Sequence, residues 1–181
     1  MKNILFASLT VLALAAQAAP QLQPAQSELQ FTAKQMGVPI EGKFKRFDAQ
    51  LAFDPKKPET GKVSFTIDMG SATLGAAEFD AELVKTPWFN AKPLPQASFV
   101  STSFKPAGAG KFEVAGKLTI KGVVRDVVVP VQFAQAGANS TATGQLAIKR
   151  LDFKIGEGEW ADTSVVANDV TVKFKLAFTG L

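Results

Sequence analysis

Residues 116–133, GKLTIKGVVRDVVVPVQF, carry the pattern that decides the fold. In the first half, the apolar residues Leu118 and Ile120 alternate with polar ones. In the second half, an apolar residue recurs at every second position from Val127 to Phe133. A Lys-Gly pair between the halves supplies the residues of a tight turn. Such alternation places the apolar side chains of a strand on one face. The stretch therefore predicts a β-hairpin with one apolar face, and the question is what that face contacts.

The same alternation recurs along most of the chain and is clearest in residues 170–178. Only residues 76–85 have the apolar spacing of a helix, and Thr86-Pro87 ends that run. Turn residues between consecutive strands favour antiparallel pairing. Closure of the sheet would remove exposed strand edges. The predicted fold is all-β, a closed or nearly closed antiparallel barrel of about eight strands with one short helix.

Three positions interrupt or constrain this pattern. The apolar positions change parity near Arg46, which predicts a bulge or a sharp bend there. Pro130 lacks a backbone donor, so it is expected at a bulge or a strand end. Uninterrupted alternation in the strand that contains Phe99 would place Phe104 on the opposite face.

The first 18 residues have the composition of an export signal. A lysine is followed by an apolar run and by Ala16-Gln17-Ala18, a small-x-small cleavage site. Residues 1–18 are therefore predicted to be a cleaved signal peptide, and residues 19–181 a single domain. Export and the absence of cysteine together indicate a periplasmic protein that folds without disulfides.

The composition removes several kinds of chemistry. The chain of 181 residues has no histidine and no cysteine, so Ser-His-Asp and Cys-His catalysis and the common zinc sites are excluded. The formal net charge is +4, and the lysines are scattered, which argues against a nucleic-acid partner. Two pairs of carboxylates remain, Glu157 with Glu159 and Asp80 with Glu82, and a solvated loop and a solvated helix face are their alternative roles. No catalytic constellation stands out, so the sequence predicts a binding protein with no cofactor of its own, and a hydrolase or isomerase is the alternative from another class.

The direction of the apolar face is the next question, because an outer-membrane barrel also alternates. Such barrels carry girdles of tyrosine and tryptophan at both interfaces. This chain has no tyrosine and two tryptophans, and most of its 15 phenylalanines fall within predicted strands. The pattern therefore favours an apolar interior that is packed or lined for a ligand.

Four motifs, in order, resemble those of the YceI family. Residues 116–127 resemble the family's G-x-L-T-I-K-G-V-T-x-x-V hairpin. Residues 42–47 resemble its G-x-F-x-x-F segment, residues 88–101 the region that ends in P-x-A-x-F-x-S, and residues 150–156 its R-x-D-F-G-I-G motif. Each motif is short, but their order and spacing cover nearly all of the chain after residue 18.

The resemblance implies a lipocalin-like, eight-stranded barrel with an apolar tunnel for a polyisoprenoid or another amphiphilic lipid. Many family members carry Arg-Asp-x-His-Leu where this chain has residues 79–83, of which only Asp80 and Leu83 fit. The chain is similar to a His-less branch that is linked with cytochrome b561 proteins, which suggests a quinone as cargo. The expected partners are thus an isoprenoid lipid and a cytochrome b561-type membrane protein. The oligomeric state stays open, with a homodimer among the options.

From these inferences follow the candidate ligand-binding residues. They are the inward-facing apolar positions and a candidate lid: Phe31, Phe44, Phe65, Ile67, Trp88, Phe89, Phe99, Leu118, Val129, Ile148, Trp160, Phe174 and Leu176. The polar candidates for a head group are Arg46, Asp80, Arg150 and Asp162. For the apolar positions, plain core packing is the alternative role; for the polar ones, it is a salt bridge or a solvated position. The alternative function is a non-carrying accessory subunit of a membrane redox system.

Overall fold

The computed structural model describes residues 19–54 and 56–180, so the predicted signal peptide lies outside the described residues. Strands form most of this part of the chain, together with one α-helix and five short 3-10 turns. In chain order the elements are β1 Gln21–Leu22, β2 Glu28–Gln35, β3 Val38–Phe44, β4 Phe47–Ala52, β5 Lys62–Asp68, β6 Ala72–Thr73, α1 Ala77–Leu83, β7 Gln96–Pro106, β8 Lys111–Ile120, β9 Val123–Ala136, β10 Asn139–Lys149 and β11 Asp169–Thr179.

Ten of these strands form one curled antiparallel sheet in the order β4-β5-β7-β8-β9-β10-β11-β2-β3-β6, and the two-residue β1 pairs with β11. In the described part of the chain, the end strands β4 and β6 do not pair. The predicted all-β class, the lipocalin-like form and the single helix are correct, whereas the count of eight strands and the closure are wrong. Strands of two residues are too short to show alternation, which is why β1 and β6 were missed.

The sheet stays open because the chain turns away from β3 between Phe44 and Phe47. β3 pairs at this end with β6, through Lys43 and Phe44, whereas β4 pairs with β5. The predicted bend near Arg46 is confirmed, and it is the point at which the chain moves from one margin of the sheet to the other.

The hairpin predicted from residues 116–133 is confirmed. β8 and β9 pair continuously from Lys111 opposite Gln132 to Ile120 opposite Val123. Lys121 and Gly122 form the turn with φ angles of 50° and 75°. Two positive φ angles are characteristic of the type I′ turn, whose twist matches that of the flanking strands.

Pro130 lies inside β9 rather than at a bulge or strand end, and the pairing explains how it is accommodated. It is opposite Glu113 on β8, whereas the pairing of β9 with β10 ends one residue later, at Val131 opposite Gly144. The paired ladder between β9 and β10 therefore ends before Pro130, and the missing N–H group costs no bond to β10.

One end of the curled sheet is covered by α1 and the segment that follows it. The helix buries Leu83 and exposes Phe79, and the ring of Phe89 packs 5.9 Å from that of Phe44. The predicted helix in residues 76–85 is thus confirmed, but Phe79 does not share the buried side of Leu83. None of the helices in the described residues has the length and apolarity needed to cross a membrane.

Candidate functional site

The curled sheet encloses an apolar cavity. The cavity has a volume of about 230 Å³. Apart from Arg150, every lining residue is apolar. The cavity could therefore hold a hydrocarbon chain, whose burial would be favourable by roughly 25 cal/mol per Å².

Twelve of the thirteen apolar candidates line this cavity. The exception is Trp160, whose ring lies 5.4 Å from that of Trp88 and therefore supports a lining residue from outside the cavity. The lining also includes positions that were not chosen from the sequence, among them Leu29, Val63 and Val172. These belong to the same alternating faces, so the hairpin's apolar face contacts an open space that the side chains do not fill.

The cavity is elongated along the strands. On β8 alone its lining extends from Phe112 through Val114 and Leu118 to Ile120. At roughly 3.4 Å per residue, this run covers about 27 Å. The two ends of the cavity differ in chemistry and are described separately.

The end near Phe112, here called the aromatic end, is formed by Phe53, Phe104, Phe112 and Phe133. The ring of Phe53 lies 6.2 Å from Phe104, 5.5 Å from Phe112 and 4.9 Å from Phe133, so it reaches three strands from the end of β4. All four rings are only partly buried. Phe53 continues the alternation of Phe47, Ala49 and Leu51, but alternation within one strand does not show which rings of other strands it meets, so the cluster was not predicted.

Phe104 was assigned to the wrong face because β7 contains a bulge. Ser101 is opposite Gly116 and Ser103 is opposite Ala115, so Thr102 is an extra residue in the ladder. The bulge shifts the parity and places Phe104 opposite Val114, on the same side as the other lining residues.

The other end, here called the arginine end, is built around Arg150, which is 2% exposed. Its Nε donates to the carbonyl of Ala167 at 3.1 Å, and Nη1 donates to those of Ile155 and Gly156 at 2.9 and 2.8 Å. Nη2 donates to the carbonyls of Trp160 and Val166, both at 2.7 Å. All five guanidinium N–H groups are thus satisfied by backbone, and none is left for a head group.

Arg150 therefore organises the loop between β10 and β11 and closes this end. Burial lowers the pKa of its guanidinium below the ordinary value of an arginine. Gly156 is held against the guanidinium with a φ angle of 74°, a backbone conformation that side chains rarely adopt. The head-group role predicted for Arg150 is not supported by this geometry.

Lys121, from the β8–β9 turn, fastens the same end. Its Nζ donates to the carbonyl of Lys154 at 2.6 Å and to Oε2 of Glu157 at 2.9 Å, and its side chain is 5% exposed. It also reaches the carbonyl of Pro87 at 3.4 Å. The turn, the loop after α1 and the loop after β10 are therefore tied together over the arginine end.

The other three head-group candidates do not line the cavity. Arg46 pairs with Asp68 at 2.9 Å on the surface. Asp80 accepts hydrogen bonds from Thr73 Oγ1 and from the amide of Leu74. The bond from Thr73 contributes most, and together the two bonds lower the pKa of the Asp80 carboxyl below the usual 3.8.

Asp162 has a similar local role in the loop before β11. It accepts bonds from the hydroxyl and the amide of Ser164, and these lower the pKa of its carboxyl below 3.8. Because neither carboxylate faces the cavity, the predicted contacts with a head group are not supported.

The fold and the site together define a lipocalin-like binding domain, in which an open antiparallel sheet curls around a long apolar cavity. Residues 21–178 match the family described as YceI-like domain, so the chain belongs to the YceI family, as its motifs indicated.

The chain is similar to several known sequences and structures. A UPF0312 protein of Photorhabdus laumondii is 34% identical over 125 residues, which cover 65% of this chain and 65% of that protein, slightly less than two thirds. The crystal structure of Burkholderia cenocepacia BcnA has a TM-score of 0.85 and 48% identity, and the match covers 87% of this chain and 99% of that one. A polyisoprenoid binding domain from Saccharophagus degradans shares the fold, with a TM-score of 0.72, 16% identity, and coverage of 90% and 99%.

Proposed function

We propose that the protein binds and carries an isoprenoid or similar amphiphilic lipid, such as a quinone or a polyprenyl lipid, in its apolar cavity. The single observation that carries this proposal is the elongated space lined, apart from Arg150, by apolar side chains. The same fold serves as a polyisoprenoid binding domain in the S. degradans protein, which supports the proposal by analogy of fold.

The energetics of such a cavity are sufficient for carriage without any catalytic group. A tail that hides roughly 400 Å² of apolar surface gains about 10 kcal/mol at 25 cal/mol per Å². The loss of freedom on binding offsets part of this gain. In the described residues, no group of three or more acidic side chains is placed to hold a metal ion. Binding, rather than catalysis, is the function proposed.

The setting of this function is also a proposal. The signal-like residues 1–18 support export to the periplasm, where a lipid tail would need shielding from water. A cytochrome b561-type membrane protein is a proposed partner that would exchange a quinone with the carrier. An accessory subunit that carries nothing would not need an unfilled apolar cavity, so the cavity favours carriage over this alternative.

Lipid analysis of the purified protein tests the proposal. The protein is exported by cells and purified without detergent, and its organic extract is examined by mass spectrometry. An isoprenoid lipid is expected in near-stoichiometric amount. The control is another exported protein purified from the same cells in the same way. If the extract holds only lipids that the control also brings down, carriage is refuted.

A further inference from the structure

Three glycines interrupt the apolar inner faces of the strands that line the cavity: Gly42 on β3, Gly116 on β8 and Gly144 on β10. Two residues after each glycine, on the same face of its strand, stands a side chain that lines the cavity; these are Phe44, Leu118 and Leu146. None of the three glycines has a positive φ angle, so the backbone does not require glycine there. Because glycine weakens a strand relative to alanine, three such inward positions call for another reason.

The ring of Phe31 lies against the sheet over Gly42. The two residues are directly opposite each other on β2 and β3, and Phe31 lines the cavity. A Cβ atom at Gly42 would lie 2.7 Å from both Cε atoms of this ring and closer still to its Cζ. Carbon atoms in contact are normally about 3.5–4.0 Å apart. The tip of the ring therefore occupies the space that any side chain at position 42 would need.

The other two glycines have the same relation to a phenyl ring. A Cβ atom at Gly116 would lie 2.5 Å from Cζ of Phe99, and one at Gly144 would lie 2.5 Å from Cζ of Phe174. Both rings line the cavity. Side chains in strands normally stand away from the sheet, whereas these rings fold back onto it. Rings from β2, β7 and β11 thus lie close to the backbone, which leaves the space between them open.

Gly42 is the position where this arrangement depends on the ring alone. At the other two glycines, a Cβ atom would also collide with a backbone oxygen of the neighbouring strand. At Gly42, the three nearest atoms all belong to the ring of Phe31. The ring of Phe44 lies 5.4 Å from that of Phe31 and limits its movement along the sheet. A methyl group at position 42 would therefore lift the Phe31 ring into the cavity.

We infer that Gly42 is a specificity-determining residue, which lets the Phe31 ring lie against β3 and so leaves the cavity wide enough for a methyl-branched chain. This inference rests on the proposed carrier function. A straight alkyl chain is slimmer and fits a narrower space, so glycines that widen the cavity give it no advantage. The methyl branches of an isoprenoid need that width, and each buried branch raises the affinity by up to about fourfold. The cavity thus selects branched isoprenoid chains over straight fatty chains.

Two alcohols with the same main chain test this inference: phytanol, which has methyl branches, and hexadecan-1-ol, which has none. Their dissociation constants are measured by displacement of a fluorescent fatty probe from the lipid-stripped protein, after the affinity of each variant for the probe has been determined. The wild type is expected to bind phytanol at least about tenfold more tightly than hexadecan-1-ol. Gly42→Ala should weaken binding of phytanol about tenfold and that of hexadecan-1-ol less than about threefold, because the lifted ring obstructs the branches first.

A second substitution should reverse the effect of the first. Leucine is smaller than phenylalanine, so Phe31→Leu combined with Gly42→Ala nearly conserves the summed volume of the pair. The double variant is expected to bind phytanol within about threefold of the wild type. If thermal unfolding shows that Gly42→Ala alone does not fold, Phe31→Trp takes its place, because it enlarges the same ring and leaves the glycine unchanged. The same loss of preference for phytanol is then expected.

Gly70→Ala is the matched control for the change from glycine to alanine. Gly70 has no positive φ angle and does not line the cavity. A Cβ atom there would meet Oδ1 of Asp68 at 3.2 Å rather than a ring. This variant should leave both affinities unchanged.

The outcomes separate this inference from the function on which it rests. If neither alcohol binds the wild type, the carrier function fails and this inference fails with it. If both alcohols bind but the wild type does not prefer phytanol, only the inference about Gly42 is overturned. It is also overturned if Gly42→Ala weakens both alcohols equally, or if the double variant does not recover the affinity for phytanol.

Discussion

Single residues in this protein show how burial separates structural groups from ligand-binding groups. Arg150 is the largest polar side chain in the interior, yet in the described residues no carboxylate balances its charge. Five backbone carbonyls accept hydrogen bonds from the guanidinium instead, and their partial negative charges surround it. A planar group with five donors suits this arrangement, and an ammonium group with three does not.

Replacement of Arg150 should therefore be costly for stability. Arg150→Met keeps most of the side-chain volume but leaves buried carbonyls without donors, and we expect a loss of at least about 3 kcal/mol in the free energy of unfolding. Arg150→Lys should cost about 2 kcal/mol, since it can satisfy three carbonyls at most. Urea unfolding followed by tryptophan fluorescence measures both losses.

The matched control is Arg46→Met, because Arg46 pairs with Asp68 on the surface, where an ion pair is worth at most about 1 kcal/mol. A loss for Arg150→Met no greater than that for Arg46→Met would contradict the structural role assigned to Arg150.

At the scale of elements, the bulge in β7 determines which side chains enter the cavity. It moves Phe104 inward and interrupts the ladder beside β5. The hydroxyl of Ser101 compensates for the interrupted ladder, because its Oγ accepts a hydrogen bond of 2.8 Å from the amide of Val63. The side chain thus takes the place of a ladder carbonyl at the point where the strand is irregular.

Ser101→Ala should expose this dependence. The amide of Val63 would lose its acceptor, and we expect a destabilisation of about 1–2 kcal/mol together with faster hydrogen exchange of that amide. Ser103→Ala, two residues along the same strand, serves as the control and should have little effect. Unchanged exchange at Val63 in Ser101→Ala would show that the ladder does not need the hydroxyl.

The elements also show how far the sequence determines the fold. Long alternating runs such as 116–133 predicted their strands, their turn and their cavity-facing side, because a period of two has only two phases. Alternation could not locate the two-residue strand β6, or the bulge that reverses the phase at Phe104. Both are set by contacts between segments distant in the chain.

The same distinction applies to the candidate site at the scale of the whole molecule. Apolar candidates such as Phe65 and Leu118 could be predicted, because most inward positions of a curled sheet line the same space. The polar candidates could not be predicted in the same way, because the sequence does not show that a charged residue such as Asp80 is bonded to its near neighbours in the chain.

An unfilled interior should tolerate added volume that a packed core would reject. Ala142 lines the cavity beside Phe133 and Leu176, and Ala142→Trp would place an indole in the path of a tail. We expect this variant to abolish co-purification of the lipid. Its loss of stability should be smaller than the roughly 1–3 kcal/mol that overpacking costs in a filled core.

Val128→Trp is the matched control for this experiment, because Val128 is 54% exposed on the outer side of the sheet. It adds a similar volume to β9 and should leave the lipid bound. Mass spectrometry of the extracts and urea unfolding of both variants supply the comparison. If Ala142→Trp unfolds the protein, the interior is filled by its own side chains; if it folds and still carries lipid, the cavity is not where the tail lies.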